Sequence, residues 1–218
     1  MKKYQLILII VFGTVMALWI IGRATNGLQY YSIPTKSNEP AYKTGSHIFS
    51  SNLITPKRFD FICYKVTDPD FGKQIWFHRV CGMPGDTIEI REGDLFVNGE
   101  SQDQHFNLKK LYLIPRELIA SLDFEEGEAI PLDGTDSVLV PLETIRQQDL
   151  IQHARRYAEN SVYPGTEKIY GHPWTGQNFG PYIVPANNYF VLGDNRNFSQ
   201  DSRFTGPVNK ERSMGVVL

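Results

Sequence analysis

Three short segments hold most of the side chains equipped for chemistry. Residues 33–40 carry Thr35, Lys36, Ser37, Asn38 and Glu39 between Pro34 and Pro40; residues 77–86 carry His78, Arg79 and Asp86; residues 193–203 carry Asp194, Asn195, Arg196, Ser199, Asp201, Ser202 and Arg203. Hydroxyls, an imidazole and carboxylates suit nucleophilic and acid–base catalysis. A serine hydroxyl needs a base to take its proton and donors to hold the developing oxyanion. Taken alone, Ser37 reads as a turn residue before Pro40. There is no Gly-x-Ser-x-Gly elbow, no Gly-x4-Gly-Lys-Ser/Thr phosphate loop and no His-Glu-x-x-His pair. The histidines (His47, His78, His105, His153, His172) are scattered, with no short ligand spacing and no nearby cysteine to complete a metal site. No metal and no cofactor is expected.

These segments need a frame that brings distant parts of the chain together. Short apolar or alternating runs at residues 61–66, 74–80, 87–91, 94–97 and 189–192 read as β-strands, with tight turns at Pro84-Gly85-Asp86 and Val97-Asn98-Gly99. From about residue 100 to 185 the texture changes, and residues 115–122 and 141–160 read as helical, with Pro141 at a first helical position and Leu142, Ile145, Ile151, Ala154 and Ala158 on one face. The simplest organisation is a β core from residues 27–100 and 183–218, interrupted by an inserted subdomain at 101–182. No repeat or low-complexity tract is present.

Ahead of this core, residues 5–22 carry no charge and are almost wholly apolar. As a helix they span about 27 Å, close to the hydrocarbon thickness of a bilayer. A cleavable leader has a shorter apolar region, about 7–15 residues, and ends in a small-x-small site. Residues 1–26 are therefore read as a short cytoplasmic end and a retained membrane anchor. Lys2 and Lys3 precede the run and only Arg23 closely follows it, which places the N-terminus in the cytoplasm and the rest of the chain outside.

The chain has 218 residues, enough for one compact domain with an insertion. Its 22 basic and 24 acidic side chains leave a charge of -2, which argues against binding nucleic acid through its phosphates. Cys63 and Cys81 are too few for a disulfide scaffold; they read either as a pair in an exported domain or as buried free thiols.

Taken with the anchor, the order and content of the three segments resemble the signature boxes of signal peptidase I, the membrane-anchored leader peptidase family. The third segment matches the bacterial pattern Gly-Asp-Asn-Arg-x-x-Ser-x-Asp-Ser-Arg at every fixed position, and the Gly-x-Pro-Gly-Asp run at 82–86 also fits. The resemblance covers about half the chain and leaves the insertion out. It implies a mainly β fold: an antiparallel β core of the signal-peptidase type with an inserted α/β subdomain, preceded by one N-terminal transmembrane helix. It also implies Ser37 as nucleophile, near the bilayer surface, with its backbone N–H and the Thr35 hydroxyl as oxyanion donors.

Where the bacterial family has a lysine base, this chain has His78, as do endoplasmic-reticulum and archaeal relatives. The exchange is chemically reasonable, because histidine titrates near 6.5 without the burial that a lysine base requires; an activity rising with pH through about 6–7 is expected. The partner orienting the imidazole is sought among Asp194, Ser199 and Asp201, with Asp201 slightly favoured against a purely structural pairing with Arg203. Asp194, Arg196 and Arg203 belong to the structural motif of the third box. Lys36 neighbours Ser37 on an extended chain and so points to the opposite face. A second departure is Asn38, where the family usually has methionine. The substrate is expected to dock as an extended strand against Tyr31 to Pro34 and the strand before His78, with Ile33, Asn38, Tyr42, Trp76 and Phe77 shaping small-residue pockets. Tyr30, Tyr31 and Trp76 are also suited to seating the domain in the bilayer interface.

The reading is a membrane-bound serine endopeptidase of the bacterial inner membrane that removes signal peptides from exported preproteins. Its partners are those signal peptides and the lipid bilayer; the sequence does not speak to oligomeric state. Two rivals are a dedicated processing peptidase for one secretion or conjugation substrate, which Asn38 would suit, and a catalytically silent relative that keeps the peptide groove.

Overall fold

A computed structural model of the chain describes residues 3–25, 27–121, 128–158 and 161–218. Helix α1 (Lys3–Ala24) is apolar on all sides, and no residue of its span Lys3–Gly22 is buried. It is long and apolar enough to cross a membrane. Satisfying its backbone internally while leaving apolar side chains uncovered suits hydrocarbon better than water. Residues 1–2 and 26, at the ends of the expected anchor segment, lie outside the described residues.

Fifteen strands follow among the described residues: β1 (Gln29–Ser32), β2 (His47–Ser51), β3 (Phe61–Asp68), β4 (Gly72–Gly82), β5 (Thr87–Arg91), β6 (Asp94–Val97), β7 (Glu100–Ser101) and β8 (Lys109–Pro115). Beyond these come β9 (Ile130–Pro131), β10 (Ser137–Glu143), β11 (Arg155–Arg156), β12 (Phe179–Ile183), β13 (Asn188–Leu192), β14 (Val208–Asn209) and β15 (Ser213–Val217). They form a seven-stranded sheet in the order β1-β2-β15-β3-β4-β13-β14, a four-stranded sheet β12-β5-β6-β7 and a second four-stranded sheet β11-β8-β10-β9. All strand pairings are antiparallel. The protein is mainly β, as the sequence suggests.

The long β3–β4 hairpin, which carries His78, is set by its turn. The Asp68 carboxylate accepts from the Asp70 and Phe71 amides, and the register runs from Asp68 opposite Gly72 to Phe61 opposite Arg79. The expected Asn98-Gly99 turn closes β6 onto β7, both residues taking positive φ (53° and 84°) as a two-residue hairpin requires.

Cys81, Phe190 and Leu192 of the large sheet pack on Ile88, Ile90, Leu95, Val97 and Phe179 of the second. On the other face of the large sheet Ile62, Tyr64, Val80, Val191 and Val216 form a separate cluster. Each fully buried aliphatic side chain here contributes about 1.5–3 kcal/mol. Cys63 and Cys81 are buried free thiols, and they belong to different clusters, which settles the alternatives left by the sequence.

The third sheet is built from residues between 109 and 156, around Tyr112, Ile114, Val138, Val140 and Leu142. Here the helical expectation fails. Residues 137–143 form β10, paired along its length with β8, while Arg116–Ser121 is a 3-10 turn and, within the two expected stretches, α-helix is confined to α2 (Gln148–Ile151); a further short helix, α3 (Thr166–Tyr170), lies beyond them. The β-branched Val138 and Val140 favour the strand. Pro141 is tolerated because β9 pairs only with Val138 and Leu139, leaving the outer side of β10 open at that point. Residues 122 and 159–160, the far ends of the expected helices, lie outside the described residues.

Candidate active site

The Ser37 segment follows β1, and His78 sits in β4, where the hairpin register places it beside β3. The two open onto one cleft of about 430 Å³, also lined by Pro34, Thr35, Trp76 and Phe77. The hydroxyl of Ser37 lies 3.1 Å from Thr35 Oγ1 and accepts from Asn38 Nδ2 at 3.2 Å. The imidazole of His78 is 3% exposed. Its Nδ1 is 2.8 Å from the Tyr64 hydroxyl and its Nε2 is 3.2 Å from Ser199 Oγ.

The third box clamps the other two. Asp194 accepts from Arg79 Nε at 2.8 Å and from its Nη2, which fixes β4 one residue beyond His78. The Asn195 amide donates to the Ser37 carbonyl at 3.0 Å, and Asn195 Nδ2 donates to the Lys36 carbonyl at 3.1 Å. Gly193 must lack a side chain: a Cβ there would stand 2.2 Å from Ser199 Oγ and 2.4 Å from the Ser37 carbonyl oxygen. Close approach of the first and third segments at this point is what that glycine permits.

Asp201, favoured from the sequence as the imidazole's partner, has its oxygens engaged elsewhere. It accepts from Arg203 Nε and Nη2, each at 2.8 Å, and from the Gly193 amide at 3.0 Å, and it caps the short helix α4 (Ser202–Thr205) through the Arg203 amide. Its carboxylate reaches His78 as charge, not as a hydrogen bond among the described residues. Burial by itself would raise the Asp201 pKa, but the Arg203 charge and hydrogen bonds outweigh it and hold the carboxyl below its ordinary value. For His78, burial dominates and lowers the imidazole to about 4; the Asp201 charge opposes this and the Arg203 charge adds to it. That value lies well below the 6–7 expected from the sequence, because the ring is enclosed beside Tyr64, Trp76 and Ser199.

The remaining candidate residues divide by depth. Pro34, Trp76 and Phe77 face the cleft, whereas Ile33, Tyr31 and Tyr42 pack around Ile48 and Cys63 behind it, and Asn38 is fully buried. Arg196 is buried, paired through both Nη atoms with Asp103 at 2.6 and 2.7 Å, and Lys110 Nζ meets the same carboxylate at 2.6 Å. Lys36 pairs with Glu128 at 3.3 Å. Among the described residues no group of three or more His, Cys, Asp or Glu is arranged to hold a metal.

Sequence reasoning missed three residues that shape the site: Tyr64, Asp103 and Lys109. Tyr64 was within reach of a register argument, since a β3–β4 hairpin puts it diagonally across from His78. Asp103 and Lys109 lie outside the three boxes; the Lys109 amide donates to the Asp194 carbonyl at 3.0 Å and its carbonyl accepts from the Arg196 amide at 2.9 Å, so β8 supports the third box.

The family model described as signal peptidase, peptidase S26, matches residues 3–218. Similar proteins include signal peptidase I V of Bacillus subtilis, 26% identical over 86% of this chain and 82% of that protein. Signal peptidase IB of Staphylococcus aureus is 25% identical over 92% of this chain and 80% of its own length. A crystal structure of a signal peptidase I from Enterococcus faecalis is 23% identical, with a TM-score of 0.38, over 76% of this chain and 98% of that one. With a family match running nearly end to end over a chain whose serine-bearing segment is clamped beneath an open cleft, the chain belongs to the signal peptidase family, peptidase S26, and is a serine peptidase.

Proposed function

We propose that the protein removes N-terminal signal peptides from exported preproteins with Ser37 as nucleophile and His78 as general base, working on the outer face of the bacterial inner membrane with its N-terminus in the cytoplasm. The observation that carries this reading is the shared cleft: the Ser37 hydroxyl and an imidazole kept neutral by burial face the same space. Among the described residues Ser37 is hydrogen-bonded to Thr35 and Asn38 and not to His78, so this reading requires nucleophile and base to close on one another as the substrate's acyl group binds.

The base-competent tautomer carries its proton on Nδ1, where the N–H donates a hydrogen bond to the Tyr64 hydroxyl, and its Nε2 lone pair accepts from the Ser199 hydroxyl until that hydroxyl turns away and Ser37 takes its place. Ser37 Oγ attacks the scissile carbonyl carbon as Nε2 takes its proton. The oxyanion is held by the Ser37 backbone N–H and the Thr35 hydroxyl. Collapse breaks the C–N bond, and the imidazolium returns its proton to the departing amine of the mature chain. Water then adds to the ester, giving a proton to Nε2; collapse breaks the bond between the acyl carbon and Ser37 Oγ, the imidazolium returns its proton to Oγ, and the signal peptide leaves with a new carboxyl group that ionises in solvent. Ser199 holds the ring from the Nε2 side, while Asp201 is reserved to Arg203 and the Gly193 amide. The substrate enters as an extended strand along residues 31–34 and β4, its small side chains facing Pro34, Trp76 and Phe77. Helix α1 holds this cleft close to the bilayer, where the end of a signal peptide emerges.

The test is cleavage of full-length preproteins by the full-length protein in liposomes, with the cut mapped by mass spectrometry. One cut after a small residue, lost in Ser37→Ala, supports the reading. Cleavage retained by Ser37→Ala removes Ser37 from the mechanism, and no cleavage of any of several preproteins by the folded wild type favours the silent relative.

A further inference from the structure

The residue after the nucleophile is a buried amide with a specific set of partners. Asn38 is 0% exposed, and its Nδ2 donates both to Ser37 Oγ at 3.2 Å and to the Phe77 carbonyl at 2.7 Å. Phe77 immediately precedes His78 in β4. One side-chain amide therefore spans the nucleophile's hydroxyl and the strand that carries the base. Its Oδ1 is buried with no hydrogen-bond partner among the described residues. An amide that leaves a buried acceptor unpaired is retained at a cost in stability, and such costs concentrate where a site needs the group for another purpose.

We propose that Asn38 is a positioning residue for the nucleophile rather than part of the pocket for the substrate side chain. Resting on the assignment of Ser37 as nucleophile, the argument is one of lone pairs. A serine oxygen has one proton and two acceptor sites. With Nδ2 donating into one acceptor site from beneath, the second lone pair is left for attack, and the Oγ proton is directed either to Thr35 Oγ1 or into the cleft where His78 opens. An aliphatic or thioether side chain at this position has no N–H to give Ser37 or the Phe77 carbonyl, so both would relax. The tie to Phe77 also fixes the separation of the Ser37 segment from β4, and with it the approach of Oγ to the ring. Asn38 is absent from the lining of the cleft, which fits a support beneath Ser37 better than a contact with substrate.

The experiment measures kcat and KM separately for preprotein cleavage by the full-length protein in detergent micelles, for wild type, Asn38→Leu, Asn38→Ser and Ser37→Ala, with thermal melts to establish that each is folded. Leucine branches at the same atom as asparagine and removes the donor; serine, which is smaller, is the fallback if leucine's bulkier methyl groups are not accommodated. The expected result is a kcat lowered about 10- to 100-fold with KM changed less than twofold, the scale on which misplacement of a reacting group acts. A folded Asn38→Leu or Asn38→Ser with unaltered kcat overturns the proposal, as does a rise in KM at constant kcat, which would make Asn38 a substrate contact. Cleavage surviving in Ser37→Ala would instead overturn the nucleophile assignment on which the proposal stands.

Discussion

Burial of a neutral imidazole beside Tyr64, Trp76 and Ser199 makes both stability and activity depend on pH in a way that can be worked out. The folded-state pKa of His78 is lowered from 6.5 to about 4. The unfolded chain therefore binds a proton below pH 6.5 that the folded chain refuses, so stability is complete above that pH and is lost as pH falls towards 4. For this one group the loss is about 2 kcal/mol between pH 8 and pH 5 and approaches about 3 kcal/mol below pH 4. The perturbation is His78→Gln, which keeps a polar side chain and removes the titration. Urea denaturation of the wild type and the variant at pH 8, 6.5, 5 and 4 gives the difference directly, since all other titrating groups are common to both. The wild type is expected to lose about 2 kcal/mol more than the variant between pH 8 and pH 5. In parallel, kcat/KM of the wild type should be level from pH 8 down to about 5.5 and fall with an apparent pKa near 4. Parallel pH dependences of stability in the two proteins, together with an activity limb at 6–7, would refute the reasoning and return His78 to an ordinary exposed titration.

Further perturbations read the groups around the ring. Tyr64→Phe removes the Nδ1 partner from a fully enclosed site and should cost about 1–3 kcal/mol in urea denaturation, with kcat/KM lowered roughly 5- to 150-fold through loss of the base-competent tautomer; unaltered kcat/KM would show that Tyr64 does not orient the ring. Asp201→Asn breaks a buried pair with Arg203 and should cost about 3–5 kcal/mol, while the folded fraction at low temperature keeps kcat/KM within roughly tenfold of wild type; a loss of a thousandfold or more in folded protein would restore Asp201 as the imidazole's partner. Asp103→Ala leaves Arg196 and Lys110 buried without their shared carboxylate and should destabilise by about 3–5 kcal/mol, measured in the same way; a change below 1 kcal/mol would mean that Asp103 does not brace the third box.

How much of this was legible depends on the range of the interactions concerned. The strands at 61–66, 74–80, 87–91, 94–97 and 189–192 were readable because alternation and turn residues are local signals, and β3, β4, β5, β6 and β13 occupy those stretches. The helical reading of 141–160 fails at its start because Pro141, Leu142 and Glu143 belong to a strand decided by pairing with β8 some thirty residues away, which local apolar spacing does not encode. Ser37, His78 and the third box stood out through their concentrated polar residues, whereas the ring's neighbours did not. The choice of Tyr64 over Asp201 rests on a diagonal contact across a hairpin, and the commitment of Asp201 to Arg203 depends on the fold of a loop. The lowered pKa of His78 is likewise a property of enclosure, which no run of residues around position 78 encodes.

The central claim is that His78 serves as the base for Ser37, and the most direct test is the single-turnover rate of preprotein cleavage at pH 8 with the full-length protein in excess, comparing wild type with His78→Gln. Loss of a base that acts as a unit with its nucleophile should slow the reaction by about a thousandfold or more while the variant remains folded. A His78→Gln rate within tenfold of wild type would contradict the account and send the search for the base elsewhere around the cleft.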